Sequence, residues 1–287
     1  VLSSGFVGHR RGTQASLSVT PVAQDSDGKK RRDSHWTAHR HFACLEAPEQ
    51  VGREAARRTL ARLGARKVDT CEVPVVFERE VARSVIGSLA GCVVGGALWR
   101  KSSYLLGRLD TAVASPLVEL VDDPTLPRAP GSRAFDGEGL PARRLTVVEG
   151  GILRSYLLDL YSARKLKLTP TGSASRSGGS ISSGTSNLRL TPGDGTLQAL
   201  IASTRRGLLV TEMMGFGFNA VTGDYSRGAA GFWIENGELA FPVGEITISS
   251  NLDTMLKGID AIANDPDLRT ATSSPSFRVQ SMTVSGT

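Results

Sequence analysis

Residues 229–249 read AAGFWIENGELAFPVGEITIS, and this stretch decides the fold. Asn236-Gly237 stands between two apolar segments. An Asn-Gly pair is the strongest short-range signal for a β-hairpin, because both residues accept the positive φ angles of a type I′ turn. The flanking segments are rich in aromatic and β-branched residues, which favour strands. The sequence therefore predicts two antiparallel strands, at 229–235 and 239–249.

The strands predicted elsewhere also come mostly as hairpins. Residues 15–19 alternate between apolar and polar side chains ahead of a turn at 25–28, and residues 142–159 form strand pairs around the turn at 149–151. Further strands are predicted at 71–77, 207–212 and 277–284. Because the strands are not arranged as βαβ units, the predicted class is α+β, with largely antiparallel sheets and flanking helices.

Four helices are predicted from apolar periodicity, at 48–63, 80–95, 195–206 and 252–262. In the helix at 80–95, small residues are expected to let another backbone come close; they are Gly87, Ser88, Ala90, Gly91 and Gly95. The Gly- and Ser-rich stretch 172–186 is predicted to be a mobile loop. We divide the chain into a middle α+β subdomain of hairpin plus helix at 1–72 and a C-terminal domain at 73–287. Since the chain begins at Val1 and its first residues resemble a strand, an N-terminal piece is expected to be missing.

The composition, with 40% hydrophobic and 22% charged residues, is that of a globular protein. The net charge is +6, and much of the basic excess lies in the first 70 residues. The basic residues concerned are those at 29–32 together with Arg53, Arg57, Arg58, Arg62 and Arg66. No RNP, zinc-finger or helix-turn-helix pattern accompanies them, so we interpret them as a solvated face and do not expect nucleic-acid binding. A basic nucleic-acid module remains as an alternative, and it would bind with a steep salt dependence.

The cysteine content indicates a reducing compartment. Cys44, Cys71 and Cys92 are odd in number and form no CxxC pair, which argues against a disulfide framework or a zinc ribbon. The most apolar stretch, residues 90–99, is far too short to span a bilayer. A cytoplasmic protein without a membrane association is expected.

The common catalytic motifs HExxH, GxSxG, the P-loop and GxGxxG are absent from the sequence. His35 and His39 lie in a predicted strand, where they would be about 13 Å apart, so we interpret them as surface polar residues. Cys92 is interpreted as a small buried hydrophobe, with a catalytic thiol as the alternative. Residues 223–228, GDYSRG, read as a tight turn. Either Arg227 pairs there with Asp224 in a purely structural loop, or Asp224, Tyr225, Ser226 and Arg227 line a peptide cleft.

Several blocks together resemble the TldD/PmbA family, and specifically its TldE (PmbA) branch. The blocks are YSARKL at 161–166, VTGDYSRGAAGFW at 221–233, IENGE at 234–238, FPV at 241–243, ITI at 246–248 with Asn251-Leu252, FDGEG at 135–139 and RKSS at 100–103. The resemblance covers nearly the whole chain. It implies an additional N-terminal α+β domain in the complete protein, in agreement with the start at Val1.

In the TldD branch, an HExxxH helix supplies two zinc ligands and a glutamate base, and a cysteine near the C-terminus supplies a third ligand. Alignment on Arg100-Lys101 places the two histidines of the family motif at Gly87 and Cys92 and the glutamate at Ser88. The cysteine position falls near Ser274. The resemblance therefore implies that this chain has no catalytic residues and binds no metal.

The resemblance further implies a heterodimer in which a TldD-type subunit carries the zinc and cuts unfolded peptides. This chain would complete the chamber and hold an extended peptide by β-augmentation, with residues 224–227 and 172–186 as the expected surface. Formation of a homodimer in the absence of the partner remains an alternative. Two further alternatives are a peptide-binding protein and a stand-alone hydrolase that uses Cys92 or the cluster at 224–226. The older family name, modulator of DNA gyrase, implies a DNA connection, but the sequence contains no recognisable DNA-binding element.

Overall fold

The computed structural model describes residues 1–3 and 5–286. Its N-terminal part contains four strands and a helix, which are β1 (Ala15–Val19), β2 (Val22–Gln24), β3 (Lys30–Arg32), β4 (His35–His39) and α1 (Pro48–Leu60). Strand β1 pairs with β4 and β2 pairs with β3, both antiparallel. The helix α1 packs against β1 and β4. The predicted turn at 25–28 is present, with the Gly28 amide donating to the Asp25 carbonyl oxygen over 3.0 Å.

The main sheet has six strands in the order β14-β13-β12-β5-β17-β15, and β14 also pairs with β17. All of its pairings are antiparallel except that between β12 and β5. Its strands are β5 (Cys71–Phe77), β12 (Arg206–Met214), β13 (Asp224–Glu235), β14 (Glu238–Asn251), β15 (Ile259–Ile262) and β17 (Phe277–Ser285). The boundary predicted between residues 72 and 73 falls within β5 and stays a prediction.

The hairpin predicted from Asn236-Gly237 is confirmed as the connection between β13 and β14. Both turn residues have positive φ angles, +51° for Asn236 and +82° for Gly237. A side chain could not replace the hydrogen of Gly237, because a Cβ there would lie 2.6 Å from the carbonyl oxygen of Ala202. Turn geometry and close packing therefore both require glycine.

A second sheet has the order β16-β11-β6-β7-β8. Its strands are β6 (Leu120–Asp122), β7 (Leu145–Glu149), β8 (Ile152–Leu153), β11 (Leu188–Leu190) and β16 (Thr272–Ser273). The stretch predicted as a mobile loop at 172–186 instead contains a hairpin of β9 (Ala174–Ser177) and β10 (Ser180–Ser183). Gly178 and Gly179, with φ angles of +53° and +84°, form its turn.

The remaining helices are α2 (Arg79–Val93), α3 (Gly95–Trp99), α4 (Leu160–Leu166), α5 (Leu197–Ala202) and α6 (Leu252–Lys257). The helix predicted at 252–262 is wrong in its second half, because the chain after Gly258 pairs with β17 as β15. Helices beside largely antiparallel sheets confirm the α+β class.

The helix predicted at 80–95 is broken at Val94, where the chain pairs with a neighbouring segment. The Gly95 amide donates to the Leu157 carbonyl oxygen over 2.8 Å, and the Leu157 amide donates to that of Val93 over 3.0 Å. A Cβ on Gly95 would lie 2.0 Å from the Ser162 hydroxyl oxygen. The predicted close approach of another segment is thus confirmed at Gly95. The same prediction is wrong for Gly87 and Gly91, which have open space beside them.

Candidate functional site

The GDYSRG stretch is the start of strand β13, so the prediction of a tight turn is wrong. Asp224 pairs with Asn251 of β14, and Ser226 pairs with Ser249. Residues three apart in a strand lie on opposite faces, so Asp224 and Arg227 do not form the predicted pair. Asp224 instead accepts a hydrogen bond from the Thr222 hydroxyl over 2.6 Å.

The four candidate residues, 224–227, lie on opposite faces of β13. Asp224 and Ser226 are exposed, and the Ser226 hydroxyl lies 3.2 Å from that of Ser249. Tyr225 is buried on the opposite face, where its hydroxyl donates to Met213 Sδ over 3.2 Å. Burial raises the pKa of Tyr225, and the neighbouring Arg227 guanidinium opposes that rise.

Arg227 lies beside Tyr225 and reaches helix α2. Its Nη1 donates to the Ser84 hydroxyl over 3.5 Å. Its Nε is buried and has no hydrogen-bond partner among the described residues. A buried donor without a partner is uncommon in folded proteins.

Both backbone edges of residues 224–226 are already occupied. On one side they pair with β14. On the other, the Ser226 amide donates to the Gly217 carbonyl oxygen over 2.7 Å, and the Asn219 amide donates to that of Asp224 over 2.9 Å. An extended peptide therefore cannot add to this part of β13.

Strand β12 has a free edge beside this site. It pairs with β5 only at residues 208–210, because β5 ends at Phe77 and the chain turns away into α2. On the side away from β13, residues 211–214 pair with no other described strand. A free edge of this kind offers unpaired backbone groups to an extended peptide.

Helix α2 lies next to β12 and presents small residues on its accessible side. Ser84, Gly87 and Ser88 are partly exposed and Gly91 is exposed, whereas Val85, Leu89 and Cys92 are buried on the core side. Together with Arg227 and the free edge of β12, this side of the helix forms an open surface with few obstructing side chains.

Comparison with known proteins places this architecture in a family. The family model for the PmbA/TldA metallopeptidase C-terminal domain matches residues 70–286, and that for the central domain matches residues 1–63. The chain belongs to the PmbA/TldA metallopeptidase family. It is 40% identical over 274 residues to the Metalloprotease PmbA of Escherichia coli O157:H7, covering 96% of this chain and 59% of that protein. The chain thus spans less than two thirds of that relative.

Solved structures of the same fold include a proposed modulator of DNA gyrase from Bacteroides thetaiotaomicron, with 32% identity and a TM-score of 0.93. That match covers 100% of this chain and 63% of the other. TldE from Thermococcus kodakarensis has 22% identity and a TM-score of 0.85, covering 95% and 63% of the two chains. Among the described residues, no helix is long and apolar enough to cross a membrane.

The positions aligned with the zinc motif of the TldD branch do not fit a zinc ion. Gly87 has no side chain, and the Ser88 hydroxyl donates to the Ser84 carbonyl oxygen over 3.1 Å. Ser274 is fully buried, and its hydroxyl donates to the Pro275 carbonyl oxygen over 2.7 Å. Residues 1–3 and 5–286 contain no group of three or more His, Cys, Asp or Glu side chains that could hold a metal ion.

Cys92 is unsuited to nucleophilic catalysis. Its side chain is fully buried, and burial raises the pKa of the thiol to about 11. A cysteine nucleophile acts as a thiolate, so a raised pKa opposes that role. The geometry agrees with a small buried hydrophobe at this position.

Five of the nine basic residues singled out near the N-terminus form ion pairs with acidic partners among the described residues. The ion pairs are Lys29–Glu245, Arg31–Asp25, Arg57–Glu54, Arg58–Glu80 and Arg62–Asp33. The prediction of a solvated face is wrong for Arg58 and Arg62, whose side chains are only 15% and 10% exposed. Arg58 and Arg62 are poorly placed to contact phosphates, whereas Lys29 and Arg57 remain exposed.

Sequence reasoning missed Glu78, which caps α2 by accepting a hydrogen bond from the Glu80 amide over 2.9 Å. Burial and the adjacent Glu80 raise the pKa of Glu78 to about 7. Glu78 lines a cavity of about 730 Å³, whose wall also includes Phe232 and Phe241. Glutamate is not among the preferred N-cap residues, so the sequence offers no clear capping signal at Glu78.

Proposed function

We propose that this chain is a non-catalytic subunit of a TldD/TldE-type metallopeptidase complex, in which a TldD-type partner carries the zinc. The observation that carries the proposal is the composition of the zinc-motif positions: Gly87, Ser88, Cys92 and Ser274 supply neither a ligand set nor a general base. The family membership supports a role in peptide breakdown. The three free thiols favour a reducing compartment such as the cytoplasm.

The same proposal assigns peptide handling to the surface between α2 and the free edge of β12. An extended peptide would add to β12 at residues 211–214, so that backbone hydrogen bonds provide affinity with little dependence on side chains. Arg227, which is partly exposed, would donate from its guanidinium to a peptide carbonyl or carboxylate oxygen. The small residues of α2, among them Gly87 and Gly91, leave the space above the helix open.

Replacing Arg227 with glutamine is expected to weaken binding of an unstructured peptide by roughly 10- to 150-fold, because a hydrogen bond to a charged group contributes about 1.5–3 kcal/mol. The measurement is fluorescence anisotropy with a labelled unstructured peptide. Ser226→Ala provides the control, since Ser226 lies on the opposite face of the same strand. Equal affinities for the parent chain and the Arg227→Gln variant would remove Arg227 from the peptide site.

A further inference from the structure

A second cavity, of about 500 Å³, lies between the regions matched by the central-domain and C-terminal-domain family models. From the central region it is lined by His39 and Arg40, and from the C-terminal region by Arg128 and Arg189. Junctions between domains are preferred places for ligand sites, because they combine depth with side chains from distant parts of the chain. This cavity is separate from the proposed peptide surface.

Two of the arginines lining the cavity have no side-chain hydrogen bond or ion pair within the described part of the chain. Arg189, in the middle of β11, is partly buried, and its side chain forms no hydrogen bond or ion pair among the described residues. Burial lowers the pKa of Arg189, and nearby Asp123 opposes that change. Arg128 is exposed in a left-handed conformation, with a φ angle of +60°, and is equally unpaired within the described chain.

Arg40 and His39 provide further donors in the same cavity. Arg40 Nη2 donates to the Pro130 carbonyl oxygen over 2.8 Å, which ties Arg40 to the loop that carries Arg128. His39 Nδ1 accepts a hydrogen bond from the His41 amide over 2.9 Å. Because Nδ1 is an acceptor, the neutral imidazole carries its hydrogen on Nε2, which can donate to a ligand.

Among the described residues, none of the nearby acidic groups forms an ion pair with these cations. Glu46 lines the cavity, with its carboxylate 3.0 Å from His35 Nε2, and Asp123 lies near Arg189. Arg269 also lines the cavity and is already paired with Glu80 and Asp267, at 2.6 Å and 2.8 Å. The lining therefore holds three arginines without an ion-pair partner in the described chain, Arg40, Arg128 and Arg189, against the single carboxylate of Glu46.

We infer that this cavity binds the oxyanion group of a small ligand, a phosphate or a carboxylate, between Arg40, Arg128 and Arg189. Guanidinium groups match the planar and tetrahedral oxygen arrangements of carboxylate and phosphate, and they bind them by charge-assisted hydrogen bonds. The inference is independent of the peptide-handling proposal, because it uses different residues on a different part of the chain.

Isothermal titration calorimetry of the 287-residue chain with inorganic phosphate, and separately with succinate, at constant ionic strength tests the inference. Saturable binding is expected for at least one of the two, and the stronger one identifies the oxyanion class. Arg189→Gln is expected to lower that affinity at least tenfold. Arg164→Gln, which removes the same charge from an exposed site on α4, is expected to leave it unchanged.

Arg128→Gln provides a second variant, because Arg128 is exposed and its loss should not impair folding; it is expected to weaken binding several-fold. An independent measurement uses Cys44, an exposed thiol that lines the cavity. The bound anion is expected to slow its alkylation by iodoacetamide, measured by peptide mass spectrometry, without slowing that of Cys71. Absence of saturable binding, or equal affinity in the Arg128→Gln and Arg164→Gln variants, would overturn the inference.

Discussion

Replacing Phe77 with alanine is expected to lower the free energy of unfolding by about 3–5 kcal/mol, the range for deletion of a buried aromatic ring. Phe77 is the last residue of β5 and is fully buried. Its ring lies against that of Phe277, with 5.4 Å between the centroids. The substitution would leave a cavity in the main sheet at the point where the chain enters α2.

Urea denaturation followed by circular dichroism measures this effect, and the chain offers a matched control. Phe216 is fully exposed between Gly215 and Gly217, so Phe216→Ala should change the free energy of unfolding by less than about 0.5 kcal/mol. Similar losses in the two variants would contradict the packing described for β5 and β17.

Replacing Arg62 with methionine is expected to destabilise the fold by about 1.5–3 kcal/mol, because Asp33 would lose one of its two cations and Glu212 would lose its counter-charge. Arg62 Nε donates to Asp33 Oδ2 over 2.7 Å, and its Nη1 contacts Glu212 of β12. Methionine retains an unbranched apolar side chain, so the lost stability would result mainly from removal of the positive charge. The loss in the free energy of unfolding also measures how much the contact between the segment after α1 and strand β12 stabilises the fold.

Arg57→Met is the control for this substitution. The Arg57 side chain is 68% exposed, and it pairs with Glu54 three residues earlier on α1, so its loss should change stability by about 1 kcal/mol or less. The double variant Arg62→Met/Glu212→Gln should recover part of the stability lost in Arg62→Met, because it removes the carboxylate that is left without a counter-charge, whereas Asp33 keeps Arg58. Equal denaturation midpoints for Arg57→Met and Arg62→Met would show that the pairs of Arg62 contribute no more than exposed ones.

Local signals in the sequence predict much of the fold. Asn236-Gly237 predicts the β13–β14 hairpin because its turn chemistry depends on two adjacent residues. The apolar repeat of Val81, Val85 and Leu89 likewise predicts the buried side of α2, since helical periodicity is independent of what packs against it. Elements whose conformation is set by their own residues are therefore recovered.

The errors occur where distant partners decide the conformation. The polar, glycine-bounded stretch 223–228 reads as a turn, yet pairing with β14 extends it into a strand. The Gly- and Ser-rich stretch 172–186 reads as a loop, yet it pairs with itself as a hairpin. In both cases the backbone hydrogen bonds between paired strands outweigh the low strand propensity of the residues.

For the candidate functional site, the sequence predicts the residue types but not their arrangement in space. The sequence predicts that Gly87, Ser88, Cys92 and Ser274 do not together form a zinc-ligand set, since this depends on residue types alone. It does not predict the free edge of β12, which exists because β5 ends at Phe77. Nor does it bring together Arg40, Arg128 and Arg189, which are far apart along the chain and meet only in the folded protein.

The most direct test of the proposed function measures peptidase activity on an unstructured peptide together with bound zinc, for this chain alone and mixed with a TldD-type subunit. We expect activity only in the mixture, with zinc on the TldD-type subunit. Stoichiometric zinc and peptidase activity in this chain alone would contradict the assignment of a non-catalytic subunit.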